Sequence, residues 1–190
     1  MLLCASSSGL AQVNDFGVGG ILDIPTSRMS EEGTLTTTYS RKDVADIYAI
    51  GYQPLPRLEA SFRYTIFNAR KKSPVPGTSC EFGSSEALGC DDNRDRSFEL
   101  KYRLVDESFY LPEISVGIRD LLGTGQWAGE YVAASKRFGN VDASIGIGWG
   151  RFGERAIAEN PLTTLNDGFG VRPTDFDQGG TISSDSVFRG

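Results

Sequence analysis

Histidine is absent from the 190 residues. Without an imidazole there is no Ser-His-Asp or Cys-His constellation and no His-ligated metal site, which removes most hydrolase chemistry. Long apolar runs are missing as well, since no stretch approaches the ~18 residues that a membrane-spanning helix needs. Positive charge is in the minority: 19 Lys+Arg face 25 Asp+Glu, for a net charge of −6. The sequence pI of about 4.8 is the wrong sign for gripping a phosphate backbone and points away from nucleic acid as a partner. Methionine is scarce, at 2 residues.

Glycine and aromatic residues are plentiful instead. The chain holds 23 Gly, 2 Trp, 7 Tyr and 11 Phe, and the glycine content stands well above the usual ~7%. The length suits one domain. The ordering signal is alternation of period two. In Arg57–Phe67, Leu58, Ala60, Phe62, Tyr64 and Ile66 lie opposite Arg57, Glu59, Ser61, Arg63 and Thr65. In Ser97–Leu104, Phe98, Leu100, Tyr102 and Leu104 lie opposite Ser97, Glu99, Lys101 and Arg103. Glu113–Arg119 and Asn140–Gly150 repeat the pattern, the latter with Val141, Ala143, Ile145, Ile147 and Trp149 on one face. Gly125–Arg137, Val44–Tyr52, Gly33–Ser40 and, as a first strand, Gly17–Ile24 complete an expected set of about eight strands, mostly of the ~10-residue length that crosses an outer membrane when tilted. The expected fold is all-β: an antiparallel up-and-down meander, part of a transmembrane outer-membrane β-barrel, over residues 17–152.

Loop lengths agree with that expectation. Gln53–Pro56, Asp106–Pro112 and Phe138–Asn140 are short or moderate, whereas 68–96 and the Gly-, Asp-, Thr- and Pro-rich stretch 153–190 are long. A meander puts both long segments on one rim, as outer-membrane barrels do. Folding about Gly139 brings Trp127 opposite Trp149 at about 28 Å of height along tilted strands. Trp127, Tyr131 and Trp149 are accordingly expected to form an interfacial aromatic girdle.

The first 11 residues read as the remainder of an export signal, with small Gly9 and Ala11 before a cut preceding Gln12. The chain is expected to continue beyond Gly190, because no aromatic-ended strand closes the barrel.

Three segments together resemble the YjbH family of exopolysaccharide-associated outer-membrane proteins. They are Gly17-Val18-Gly19-Gly20-Ile21-Leu22-Asp23-Ile24-Pro25-Thr26-Ser27-Arg28-Met29, then Val116-Gly117-Ile118-Arg119-Asp120-Leu121-Leu122-Gly123-Thr124-Gly125 continuing into Gly129–Lys136, and Gly146-Ile147-Gly148-Trp149-Gly150-Arg151. The resemblance implies the N-terminal portion of a longer outer-membrane barrel from a Gram-negative bacterium, tied to capsule or exopolysaccharide production, with no catalytic residue, metal or cofactor to carry over. The implied partners are outer-membrane lipid, polysaccharide and other secretion proteins. Arg63, Glu99, Lys101, Arg103, Arg119, Glu130 and Asp142 are then expected to face a polar, water-filled lumen. The alternative is a soluble exported β-barrel that binds a small ligand, with the apolar face as its interior. An enzyme using a carboxylate pair such as Glu99 and Glu130 is the third and weakest reading.

Export carries a further expectation. Cys80 and Cys90 lie ten positions apart in one long loop, a spacing that suits a disulfide in an oxidising compartment. Mass spectrometry of a non-reduced digest of the exported protein is expected to recover the Cys80–Cys90 peptide pair. Free alkylation of both thiols without reductant would refute the pairing.

Overall fold

A computed structural model describes residues 12–42, 45–67, 94–123, 127–153 and 159–170. Nine strands form in chain order: β1 (Gly20–Ile21), β2 (Ile24–Pro25), β3 (Leu35–Lys42), β4 (Ala45–Leu55), β5 (Leu58–Phe67), β6 (Arg94–Val105), β7 (Glu113–Leu121), β8 (Gly129–Phe138) and β9 (Val141–Gly148). Strands β3 to β9 make one seven-stranded antiparallel sheet in strict sequence order, curled into a half-barrel. The alternating segments found in the sequence become β3 to β9, with β4, β6 and β7 longer than expected and β5, β8 and β9 shorter. Both β3 and β9 pair on one side alone among the described residues. Pro54 falls where the β4–β5 register shifts between Tyr52 and Leu55, the kind of place where a missing N–H is tolerated. Short turns at Pro56-Arg57, Asp106–Pro112 and Gly139-Asn140 share one rim, and the C-terminal ends of β3, β5 and β7 lie at the other. Cys4, Cys80, Cys90 and the expected export signal lie outside the described residues.

The expected first strand is not a member of this sheet. Residues 14–28 fold instead into a plug against the polar face, with β1 and β2 as a two-residue hairpin inside it. Gly17-Val18-Gly19-Gly20 has no alternation to offer a ladder, and its glycines permit close approach. Gly17 sits at φ +85°, over Ala49 and Ser61. The facing residues of β4 are small: a Cβ added to Gly51 would stand 1.9 Å from the Gly17 carbonyl oxygen.

Sidedness is inverted relative to a water-soluble sheet. Glu59, Ser61, Arg63 and Thr65 of β5, and Asp95, Ser97, Glu99 and Lys101 of β6, are all buried. Tyr48, Ile50 and Tyr52 of β4, Leu100, Tyr102 and Leu104 of β6, and Ile145 and Ile147 of β9 are exposed, Ile145 to 76%. Outward cross-strand pairs of rings, Tyr39–Tyr48 at 5.0 Å and Phe62–Phe98 at 5.3 Å, stiffen the apolar face. Buried apolar side chains are few, and Phe16 and Val18 of the plug are among them.

Within the stretch expected as plain loop after residue 152, residues 159–170 pack back on the sheet at Glu130 of β8. Asn160 and Phe169 are buried, and two 3-10 turns, Pro161–Thr164 and Asp167–Phe169, follow Asn160.

Because Gly51 leaves no space beneath the plug, Gly51→Ala is expected to destabilise the fold by about 1–3 kcal/mol, the usual range for overpacking. Gly146→Ala, whose added Cβ would have its nearest neighbour 3.1 Å away, should cost less. Denaturant midpoints of the two purified variants check the order.

Candidate functional site

The polar face carries three ion-pair centres, each built from strand positions that alternation places inward. On β6, the Lys101 ammonium meets Glu59 of β5 at 2.6 Å and donates to the carbonyls of Gly19 at 3.0 Å and Arg28 at 2.6 Å. Those three acceptors fill the capacity of an ammonium, and Lys101 is 0% exposed. Glu59 in turn accepts the Gly19 N–H on both oxygens at 3.1 Å.

The second centre joins β6, β7 and β8. Arg119 Nε donates to Glu99 at 2.8 Å, and the Tyr131 hydroxyl donates to the other Glu99 oxygen at 3.1 Å. The Arg119 guanidinium lies 3.8 Å from the Phe16 ring centroid and 4.5 Å from that of Phe152, and it also donates to the Asp23 carbonyl at 3.3 Å. Two ring faces bracket one cation, which offsets part of its lost hydration.

The third centre pairs Arg63 with Asp95 at 2.8 Å and Asp120 at 3.3 Å. Asp120 takes φ +66°, accepts the Trp127 N–H at 3.0 Å, and is closed over by Gly123, where a Cβ would stand 1.9 Å from its carboxylate. The consecutive Arg119-Asp120 thus serve two different buried pairs rather than one exposed local pair.

Charged latches hold the plug at both rims. At the short-turn rim, Arg28 grips Asp142 through two bonds of 2.9 and 2.7 Å and meets Glu107 at 2.7 Å. The Arg137 N–H and Arg28 together hold the Glu107 carboxyl below the ordinary carboxylate range. At the opposite rim, Lys42 pairs with Asp15 at 3.3 Å and with Asp23. Between them, the Ser115 hydroxyl donates to the Ser27 carbonyl at 2.9 Å, and the Ser27 N–H donates to the Ser135 hydroxyl at 3.2 Å.

Six of the seven polar residues singled out from sequence share the inward face, but not as solvated wall; Glu130 is the exception, because it adjoins the inward Tyr131 in an unbroken ladder and so falls on the opposite face, away from the expected lumen. Arg63, Glu99, Lys101, Arg119 and Glu130 are buried, Glu130 accepting from Asn160 at 2.7 Å. Arg103 is half-buried near Glu113, and Asp142 lies at the rim with Arg28. The girdle expectation needs a clear correction. Tyr131 is 4% exposed and points inward, because its hydroxyl requires Glu99 and because Gly117, its partner in β7, leaves room for the ring. Trp127 precedes β8 and packs edge-on to Phe16 at 5.6 Å, with Arg63 over its ring. Trp149 follows β9, half-buried, its N–H donating to the Glu130 carbonyl at 2.9 Å. Glu59, Asp95 and Asp120 escaped notice as site residues, although Glu59 sits at an inward position of a strand already recognised; Asp95 lies in the part of β6 that was expected to be loop, and Phe16, Arg28 and Asn160 had no periodic signal to reveal them. No cluster of three or more metal-ligating side chains occurs among the described residues.

Residues 12–190 match the model of the YjbH family, described as exopolysaccharide biosynthesis protein YbjH. The chain belongs to this family. It is 38% identical over 178 residues to the uncharacterized lipoprotein YjbH of Escherichia coli (strain K12), an alignment that covers 93% of this chain and 24% of the relative. The chain thus spans about a quarter of the length of that curated YjbH relative. No solved structure matches it.

Removing Lys101 would leave the buried Glu59 carboxylate without its cation, a change that typically costs about 3–5 kcal/mol. Lys101→Ala is therefore expected to lower the denaturation midpoint far more than Lys136→Ala, whose ammonium lies at the rim beside Glu107 and the Phe109 carbonyl. Equal midpoints for the two variants would contradict the buried pairing.

Proposed function

We propose that this chain forms part of an outer-membrane β-barrel in a Gram-negative cell, serving exopolysaccharide production or secretion without catalysis of its own. One observation carries the reading: ionised side chains are paired and buried on the inner face, while rows of Ile, Leu, Val, Tyr and Phe lie exposed on the outer face. Water penalises such a surface, and a hydrocarbon phase rewards it. The strands of 8–12 residues suit a tilted bilayer crossing. Full backbone pairing is obligatory in lipid, so in this reading β3 and β9 pair with further strands of the whole protein. Exopolysaccharide enters from the family description, with lipid as the outer partner and the glycan and other secretion proteins as the inner ones. A soluble barrel with an apolar interior, the other reading of the alternation, fits poorly, because the apolar rows point away from the buried face.

Two substitutions on β9 test the sidedness. Ile145→Arg is expected to cost about 2–4 kcal/mol of barrel stability near the bilayer midplane, and Ser144→Arg on the other face much less. Folding titrations of the full-length protein into lipid vesicles read both. Because a soluble core also punishes Ile145→Arg, the wild type is to be tested for detergent dependence. Stable, monodisperse protein in plain buffer would reject the proposal.

A further inference from the structure

The plug and the wall beneath it are joined by an unequal kind of bonding. Every buried cation of the wall has its carboxylate on the wall: Lys101 with Glu59, Arg119 with Glu99, Arg63 with Asp95 and Asp120. What the wall gives to the middle of the plug is hydrogen bonds to main-chain atoms, namely the N–H groups of Gly19 and Ser27 and the carbonyls of Gly19, Asp23, Ser27 and Arg28. Departure of the plug would leave these pairs together, so that what needs replacement over the middle of the wall is dipolar bonds and the Phe16 ring over Arg119 and Arg63. Ion pairs between plug and wall are confined to the rims, at Arg28 and Lys42.

The covered wall also keeps donors and acceptors in excess of what the plug uses. Ser61 Oγ, Thr65 Oγ1 and Arg63 Nε lie in a row along β5, fully enclosed, with no hydrogen-bond partner among the described residues. Buried polar atoms of this sort are rare and costly in a purely structural interior. Further across the wall, Tyr131 and Phe152 pack edge to face at 5.3 Å and add ring faces. A row of hydroxyls, paired charges and aromatic faces is chemistry for sugar hydroxyls and ring C–H faces. Among the described residues, the buried charges of the inner wall comprise five carboxylates (Glu59, Asp95, Glu99, Glu113, Asp120) and three cations (Arg63, Lys101, Arg119), a balance that disfavours a polyanion.

We infer that residues 14–28 are a displaceable plug occupying a glycan track, and that an uncharged stretch of polysaccharide replaces the plug's main-chain groups on Glu59, Lys101, Ser115, Ser135 and the β5 hydroxyls. The inference rests on the barrel reading above. It extends that reading by naming the track, the class of sugar and the segment that must move.

A reversible tether tests it in cells that make the polysaccharide. A Cβ at Gly17 would stand 3.3 Å from Ser61 Cβ, near the span of a disulfide, so full-length Gly17→Cys/Ser61→Cys pins the plug when oxidised. Ser27→Cys/Ser135→Cys is the second tether should the first assemble poorly. Surface polysaccharide, normalised to outer-membrane protein, is expected to fall under oxidising conditions to the level of cells lacking the protein. It should return when reductant is added, while each single-cysteine variant, whatever its own level of export, and the wild type give the same export with and without reductant. Normal export by a fully cross-linked variant would overturn the plug inference alone. If cells lacking the protein export as much polysaccharide as the wild type, the underlying role in secretion falls with it.

Discussion

A charge taken out of water must find compensation within a few ångströms, and that requirement organises this molecule. The Lys101 ammonium is the plainest case: fully enclosed, with one carboxylate and two main-chain carbonyls as its acceptors among the described residues. The carboxylate comes from the neighbouring strand and fixes the β5–β6 register, in which Glu59 and Lys101 face each other. Both carbonyls come from the plug, so the position of the plug is set from the centre of the sheet outwards. Arg119 and Arg63 repeat the arrangement, each with a strand-borne acid and an aromatic ring from the plug.

Such an interior gives little net stability, because desolvation consumes most of the Coulombic gain. What it supplies is definition. A polar face that slipped by one residue would carry every charge to the apolar side, where no partner waits. Small residues complete the fit. Gly51 and Ala49 accommodate Gly17, Gly117 accommodates Tyr131, and Gly148 leaves space for Phe152. The outer face makes no comparable demand, and its aromatic pairs are free to be broad and apolar.

Much of the sheet was legible because alternation is a direct consequence of one-sided burial. Strands β5, β6, β7 and β9 appear wherever charged and apolar residues alternate, and the resemblance carried by Arg119-Asp120 and the glycine segments agrees with the family to which the chain belongs. Alternation is silent, however, on what covers the polar face. The expectation of a water-filled wall failed for that reason: Arg63, Glu99 and Lys101 were placed on the right face with the wrong neighbours. The plug was misread as a strand of the sheet because Gly17–Ile24 is extended and apolar in part, while its ladder is only the two-residue β1–β2 hairpin and its bonds to the sheet run to side chains. Tyr131 was misread because a tyrosine suits either a membrane interface or a buried acid, and the clue lay in Gly117 on the next strand. Asn160 sits in a loop-like stretch whose return to Glu130 has no local signature.

Sidedness is the claim on which the rest stands, and one measurement addresses it directly. Nitroxide labels placed singly at Tyr102, Val132 and Ile147 of the full-length protein in lipid vesicles can be assayed for collision with molecular oxygen and with a water-soluble nickel chelate. High oxygen and low nickel accessibility at all three positions is the predicted outcome. Ready collision with nickel at these positions, with oxygen no higher than in bulk water, would contradict a lipid-facing surface.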